Sequence, residues 1–179
     1  MTIPHVTIRP LTHADVPAFR ALRLSALAAS PDAFTASVED EQALSEAEMG
    51  ARAVPELPGV VFGAFAGKEL VGMAGYIANK RPKTRHNATM VAVYVAPEWR
   101  KAKLGRRLVE AVIDHAATQR VILRCSVRAG NAPARRLYHE LGFVPYGLER
   151  DAVLIDGAYH DDELLALDLR QGIRRREET

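Results

Sequence analysis

The chain has 179 residues, 48% of them hydrophobic and 26% charged, with a formal net charge of +2. That is ordinary globular usage and enough length for one sizeable core, which excludes disordered, collagenous and coiled-coil architectures. Near-balanced charge provides no global field to attract nucleic acid, and a single cysteine, Cys125, cannot form an internal disulfide.

In chain order, a short β-like run over Val6 to Arg9 leads to Thr12 and Asp15, a helix start with Pro17 in its first turn. Val16, Phe19, Leu22 or Arg23, and Leu27 then recur at helical spacing until Ser30-Pro31 ends the pattern. The stretch FTASVEDEQ reads as an acidic loop. Ser45 and Glu48 have capping-box spacing before a short helix that Pro55 and Pro58 close. GVVFGAFAG and LVGMAGYIA flank Lys68-Glu69 and predict a β-hairpin. The charges in that hairpin turn interrupt the longest apolar stretch, Val60 to Ala78, so no membrane span is expected. MTIPHVTIRP lacks the pattern of a signal peptide, so a soluble, cytoplasmic protein is expected.

After the basic connection NKRPKTRHN, ATMVAVYV predicts a third strand. A helix follows from about Leu104 to Thr118, with Leu104, Leu108, Ala111 or Val112, and His115 on one stripe. RVILRCSV then returns as a strand. The order strand, helix, strand predicts a parallel pair, 88–95 with 120–127, joined by a right-handed crossover. NAPARRLYHELGF is a helix with Asn131 as cap, Pro133 in the first turn, Gly142 as stop and Ala134, Leu137 and Leu141 on its core face. From Glu149 to Leu169 two runs meet at Asp156-Gly157, a hairpin signal. Residues 170–179 read as a solvated tail.

Between the third strand and the crossover helix, Arg100 to Arg107 carry five positive charges and no acid. A helix start presents free N–H groups and the positive end of its dipole, which suits phosphate. Taken alone, the segment fits a phosphate site or a solvated basic helix start equally well.

Here the sequence resembles the GNAT superfamily of acyl-CoA-dependent N-acetyltransferases, whose phosphate loop follows [QR]-x-x-G-x-[GA]. Arg100-Lys101-Ala102-Lys103-Leu104-Gly105 follows it except at Lys103, where the family has glycine. Asn131, Ala134, Leu137 and Tyr138, followed by Leu141-Gly142-Phe143, resemble a second block of the same family in the correct order. The resemblance covers about Thr7 to Leu169 and implies one α/β (α+β) domain over 1–179. Its sheet would be mixed and mostly antiparallel, with helices on both faces and one parallel pair splayed at the cofactor site.

The resemblance also implies acetyl-CoA as cosubstrate and a small primary amine, an amino acid or other amine, as acceptor. The alternatives are a protein or peptide lysine as acceptor, or a non-catalytic module that binds coenzyme A as a sensor; a homodimer is compatible with the resemblance. Acetyl transfer needs a neutral amine, a stabilised oxyanion and a proton for the departing thiolate. The resemblance assigns the oxyanion and pantetheine to backbone at Val93, Tyr94 and Val95. It assigns the phosphates to Arg100, Lys101, Ala102, Lys103, Leu104, Gly105 and Arg106, and a pantetheine contact to Asn131. Tyr138 is implied as the acid, and a phenol of ordinary pKa near ~10 keeps its proton at neutral pH.

The family's ribosomal-protein N-terminal acetyltransferases place a glutamate as base five residues before the motif asparagine, where this chain has Ser126. That leaves Glu39, Glu41, His86 or water as candidates. Cys125 reads as an apolar strand residue, and six scattered histidines suggest no metal site.

Overall fold

The structure, a computed structural model, describes residues 5–171; the RRREE tail and residues 1–4 lie outside the described residues. Strands β1 (Val6–Pro10), β2 (Val60–Ala66), β3 (Glu69–Ala78), β4 (Asn87–Val95), β5 (Ile122–Arg128), β6 (Val144–Ile155) and β7 (Ala158–Asp168) form one sheet. Its order is β1-β2-β3-β4-β5-β7-β6. Among the described residues five α-helices accompany it: α1 (Val16–Ala29), α2 (Val38–Gln42), α3 (Glu46–Ala53), α4 (Leu104–Gln119) and α5 (Ala132–Glu140). Every pairing is antiparallel except β4 with β5, which α4 connects in parallel, as the sequence predicts.

Two apolar clusters cover the sheet. Leu104, Leu108, Val109, Val112, Ile113 and Ala116 of α4 pack on one face, where full burial of each large aliphatic side chain contributes roughly 1.5–3 kcal/mol. Phe19, Leu22, Ala26 and Leu27 of α1, with Met49 and Ala53 of α3, form the other cluster. His115 is half-buried beside the α4 stripe: its Nε2 donates to the Pro58 carbonyl at 2.7 Å, and its ring meets Tyr76 edge-on at 4.8 Å.

Three local expectations need correction. FTASVEDEQ is not all loop, because Ser37 and Asp40 form a capping box that starts α2: Asp40 N–H donates to Ser37 Oγ at 3.1 Å and Ser37 N–H to Asp40 Oδ2 at 2.8 Å. β5 begins at Ile122 and not at Arg120, whose φ of 52° makes it the left-handed cap of α4. β6 begins at Val144, ahead of Glu149. As an exposed edge strand with two register shifts against β7, it lacks the apolar–polar alternation that marks a half-buried strand.

Candidate active site

The parallel ladder between β4 and β5 stops after three pairs, Asn87 with Ile122, Ala88 with Leu123 and Thr89 with Arg124. β4 nevertheless stays on β3 as far as Val95, and β5 stays on β7 as far as Arg128. From Met90 onward the two strands therefore splay, as expected, and the β5-facing backbone of β4 has no ladder partner. A bulge at this point puts Ala92 at φ 56°, a left-handed conformation that costs a non-glycine residue about 1–2 kcal/mol. Nothing in the sequence announces it.

The split opens a cleft of about 570 Å³. Its lining takes Phe19, Phe34 and Val61 from one apolar cluster and Met90, Cys125 and Tyr138 from the other, so it passes through the sheet. Val93, Ser126 and Asn131 also line it. Tyr138 lies on the core face of α5, not beside it as the residue pattern suggests: it is the buried residue of that helix, with its ring 5.7 Å from Phe143. Burial, and secondarily Cys125, raises its pKa above the ordinary phenol value, so the hydroxyl holds its proton. Burial likewise pushes the Cys125 thiol up to about 12, which leaves it a poor nucleophile at neutral pH. Asn131 spends its Oδ1 accepting from Ala134 N–H at 3.2 Å, capping α5.

The phosphate-loop candidates lie beyond this lining, at the start of α4. Leu104, Gly105 and Arg106 occupy the first turn, where N–H groups have no partner within the helix. Lys103 is exposed and adopts φ 55°, ψ 22°. The family's glycine at this place therefore answers a left-handed backbone, and Lys103 adopts that conformation without it. Outside its own helix turn, a Cβ on Gly105 would meet its nearest atoms, on Leu137 and Val95, only at 3.9 Å, so packing against the rest of the protein does not demand glycine there. The open helix start, with unpartnered first-turn N–H groups, fits a pyrophosphate.

The basic cluster is only partly available to a ligand. Arg106 pairs with Glu140 and, at 3.7 Å, with Glu110. Arg107 donates to the Val6 carbonyl at 2.9 Å, and Arg100 Nε donates to the Val95 carbonyl at 3.2 Å. Tyr94 and Val95 point their side chains into opposite apolar clusters, so only their backbone can serve the site.

None of Glu39, Glu41 and His86 lines the cleft. Glu39 and His86 are exposed, and Glu41 is fully buried between Arg23 and Arg52. The acid on the described lining is Asp162, locked in a buried pair with Arg128. Sequence reasoning missed Arg52, Arg128 and Asp162 altogether and met Arg23 only as an alternative to Leu22 on the α1 stripe.

With this geometry in hand, comparison with known proteins is informative. The profile of the acetyltransferase (GNAT) family matches residues 22–143, most of the chain. The chain belongs to the GNAT family. This member is 36% identical over 81 residues to the [ribosomal protein bS18]-alanine N-acetyltransferase of Salmonella typhimurium. That match covers 45% of the chain and only about half, 55%, of the relative. A Salmonella typhimurium structure with its cofactor acetyl-CoA superposes with a TM-score of 0.81 at 21% identity, covering 97% of this chain and 99% of that one. The ribosomal-protein-alanine N-acetyltransferase of Brucella melitensis gives 0.78 at 25% identity, over 91% of this chain and 99% of its own. Among the described residues no helix is long and apolar enough to cross a membrane, and no cluster of three or more potential metal ligands occurs.

Proposed function

We propose that this GNAT member transfers the acetyl group of acetyl-CoA to the primary amine of a small molecule, by direct attack with both substrates bound. The observation that carries this reading is the cleft through the split sheet, with buried Tyr138 on its α5 side. Acetyl-CoA supplies the activated thioester; the chain holds and positions it. First-turn amides at Leu104, Gly105 and Arg106 take the pyrophosphate, helped by Arg100, Lys101, Ala102 and Lys103 around the loop. Unladdered backbone at Val93, Tyr94 and Val95 binds the pantetheine and the developing oxyanion, and Asn131 adds a polar contact. Tyr138 gives its proton to the departing thiolate.

With no free carboxylate or histidine on the described lining, the amine loses its proton to water. The rate should then rise with pH along the acceptor's own titration and show no step from an enzyme group between pH 5 and 8. We place the reaction in the cytoplasm, on the strength of one unpaired, buried cysteine.

A second reading, acetylation of a protein N-terminus, draws support from the Salmonella typhimurium relative. Ser126 stands where that branch carries its base, which favours the small acceptor. Thiol release, measured with amino acids, polyamines, aminoglycosides and an alanine-terminated peptide, separates them. Turnover of the peptide alone would overturn the first reading, and no turnover with any amine would overturn both.

A further inference from the structure

The cleft has two unlike ends. Tyr138, Asn131, Ala134 and Leu137 bound the side of α5, while Phe19 and Arg23 of α1, Phe34 and Thr35 of the following segment, and Arg52 of α3 bound the other. On this second side two arginines meet on one carboxylate. Arg23 Nε at 2.9 Å and Arg52 Nη1 at 2.5 Å both donate to the same oxygen of Glu41, Oε1. Glu41 itself is fully buried and does not line the cleft, and its Oε2 has no partner.

Two guanidinium groups share this one buried carboxylate; the nearby Asp40 and Glu48 carboxylates also act on Arg52, but each is engaged by a capping serine, Ser37 and Ser45. The other ionic pair there, Arg128 with Asp162, is balanced and closed: Arg128 also donates from Nε to the Asp32 carbonyl at 2.8 Å. Arg23 is held against the Phe34 ring at 4.9 Å and keeps a buried Nη1 without a hydrogen-bond partner. Arg52, by contrast, has 47% of its side chain exposed and can meet a ligand. Burying a carboxylate to hold two arginines costs desolvation energy, which a purely structural role would recover better with apolar packing.

We propose that Arg52, backed by Arg23, is an anion subsite for the acceptor, which is therefore an amine carrying a carboxylate. The carboxylate accepts from the half-exposed Arg52 guanidinium on the cleft wall, and the amine on the same molecule extends into the split between β4 and β5. A simple diamine or polyamine lacks this anchor. The inference rests on the proposed acetyl transfer for its meaning but not for its test.

The test is isothermal titration of the intact chain, alone and with coenzyme A, using N-acetyl amino acids and the matching N-acetyl amino acid amides. Acids should bind about tenfold or more tightly than amides, as expected for hydrogen bonds to a charged partner. Arg52→Gln should bring the acids down to the amide level while coenzyme A affinity holds. Equal binding of acids and amides, no binding of either, or undiminished acid binding by the variant would each overturn the proposal. Binding of acids by a chain that acetylates no amine would keep the subsite and sink the proposed reaction. Turnover of amines without regard to a carboxylate would do the reverse.

Discussion

Tyr138 and Lys103 show how single positions divide between chemistry and backbone geometry. Burial keeps the Tyr138 phenol protonated, and Phe would keep the packing on Phe143 while removing the proposed donor. Tyr138→Phe should lower kcat by ~10²–10⁴ and leave acetyl-CoA affinity nearly unchanged, as read by thiol-release kinetics beside isothermal titration. Unchanged turnover would assign the thiolate's protonation to water. Lys103 occupies the left-handed region, where a side chain is strained and glycine is not. Lys103→Gly should therefore preserve or modestly raise coenzyme A affinity and change stability by no more than about 1 kcal/mol, the relief of strain offsetting glycine's extra unfolded-state entropy. Loss of binding on titration would make the lysine a phosphate ligand in its own right.

At the scale of elements, the start of α1 is fastened by Asp15. Its Oδ2 accepts from Arg9 Nη1 at 2.7 Å and from Thr12 N–H and Oγ1, each at 2.8 Å, while Arg9 lies 3.9 Å over the Phe65 ring. The Arg9 hydrogen bond foremost, and then those from Thr12, hold the Asp15 carboxyl well below the usual range. A depressed folded-state pKa stabilises the fold above the unfolded value, near ~3.9, and this contribution is lost as pH falls below it. Asp15→Asn should cost about 1 kcal/mol at pH 7, a typical cap value. The gap between variant and parent in thermal melts should narrow as pH drops below about 4. A gap of constant size would mean that the charge of Asp15 is irrelevant.

Across the whole molecule, Arg128 joins segments far apart in the chain. It pairs with Asp162 of β7 and donates to the Asp32 carbonyl, tying the end of β5 to the segment after α1 at the mouth of the cleft. Both partners are buried, with 7% of each side chain exposed. Removing one leaves an uncompensated charge, so Arg128→Ala should cost roughly 3–5 kcal/mol in denaturant unfolding. A loss below about 1 kcal/mol would show the pair to be solvated.

Periodicity, caps and turn residues act within a few residues of sequence, and they were legible. The β2–β3 hairpin, the 16-residue crossover helix and the parallel pair it implies came from local pattern alone. So did the turn at Asp156-Gly157, whose φ values of 49° and 81° suit a two-residue hairpin loop. The loop before α4 and Tyr138, proposed here for the cofactor, stand out in the sequence because residue types at fixed spacing mark them. The proposed acceptor side did not. Arg23 and Arg52 meet on Glu41 across 18 and 11 residues, and Arg128 meets Asp162 across 34. Such pairings depend on which helix packs over which strand, and no short-range pattern encodes that. The buried Glu41 read as part of an acidic surface loop because charge in a sequence marks solvent by default; only tertiary packing supplied the two arginines that let it leave water.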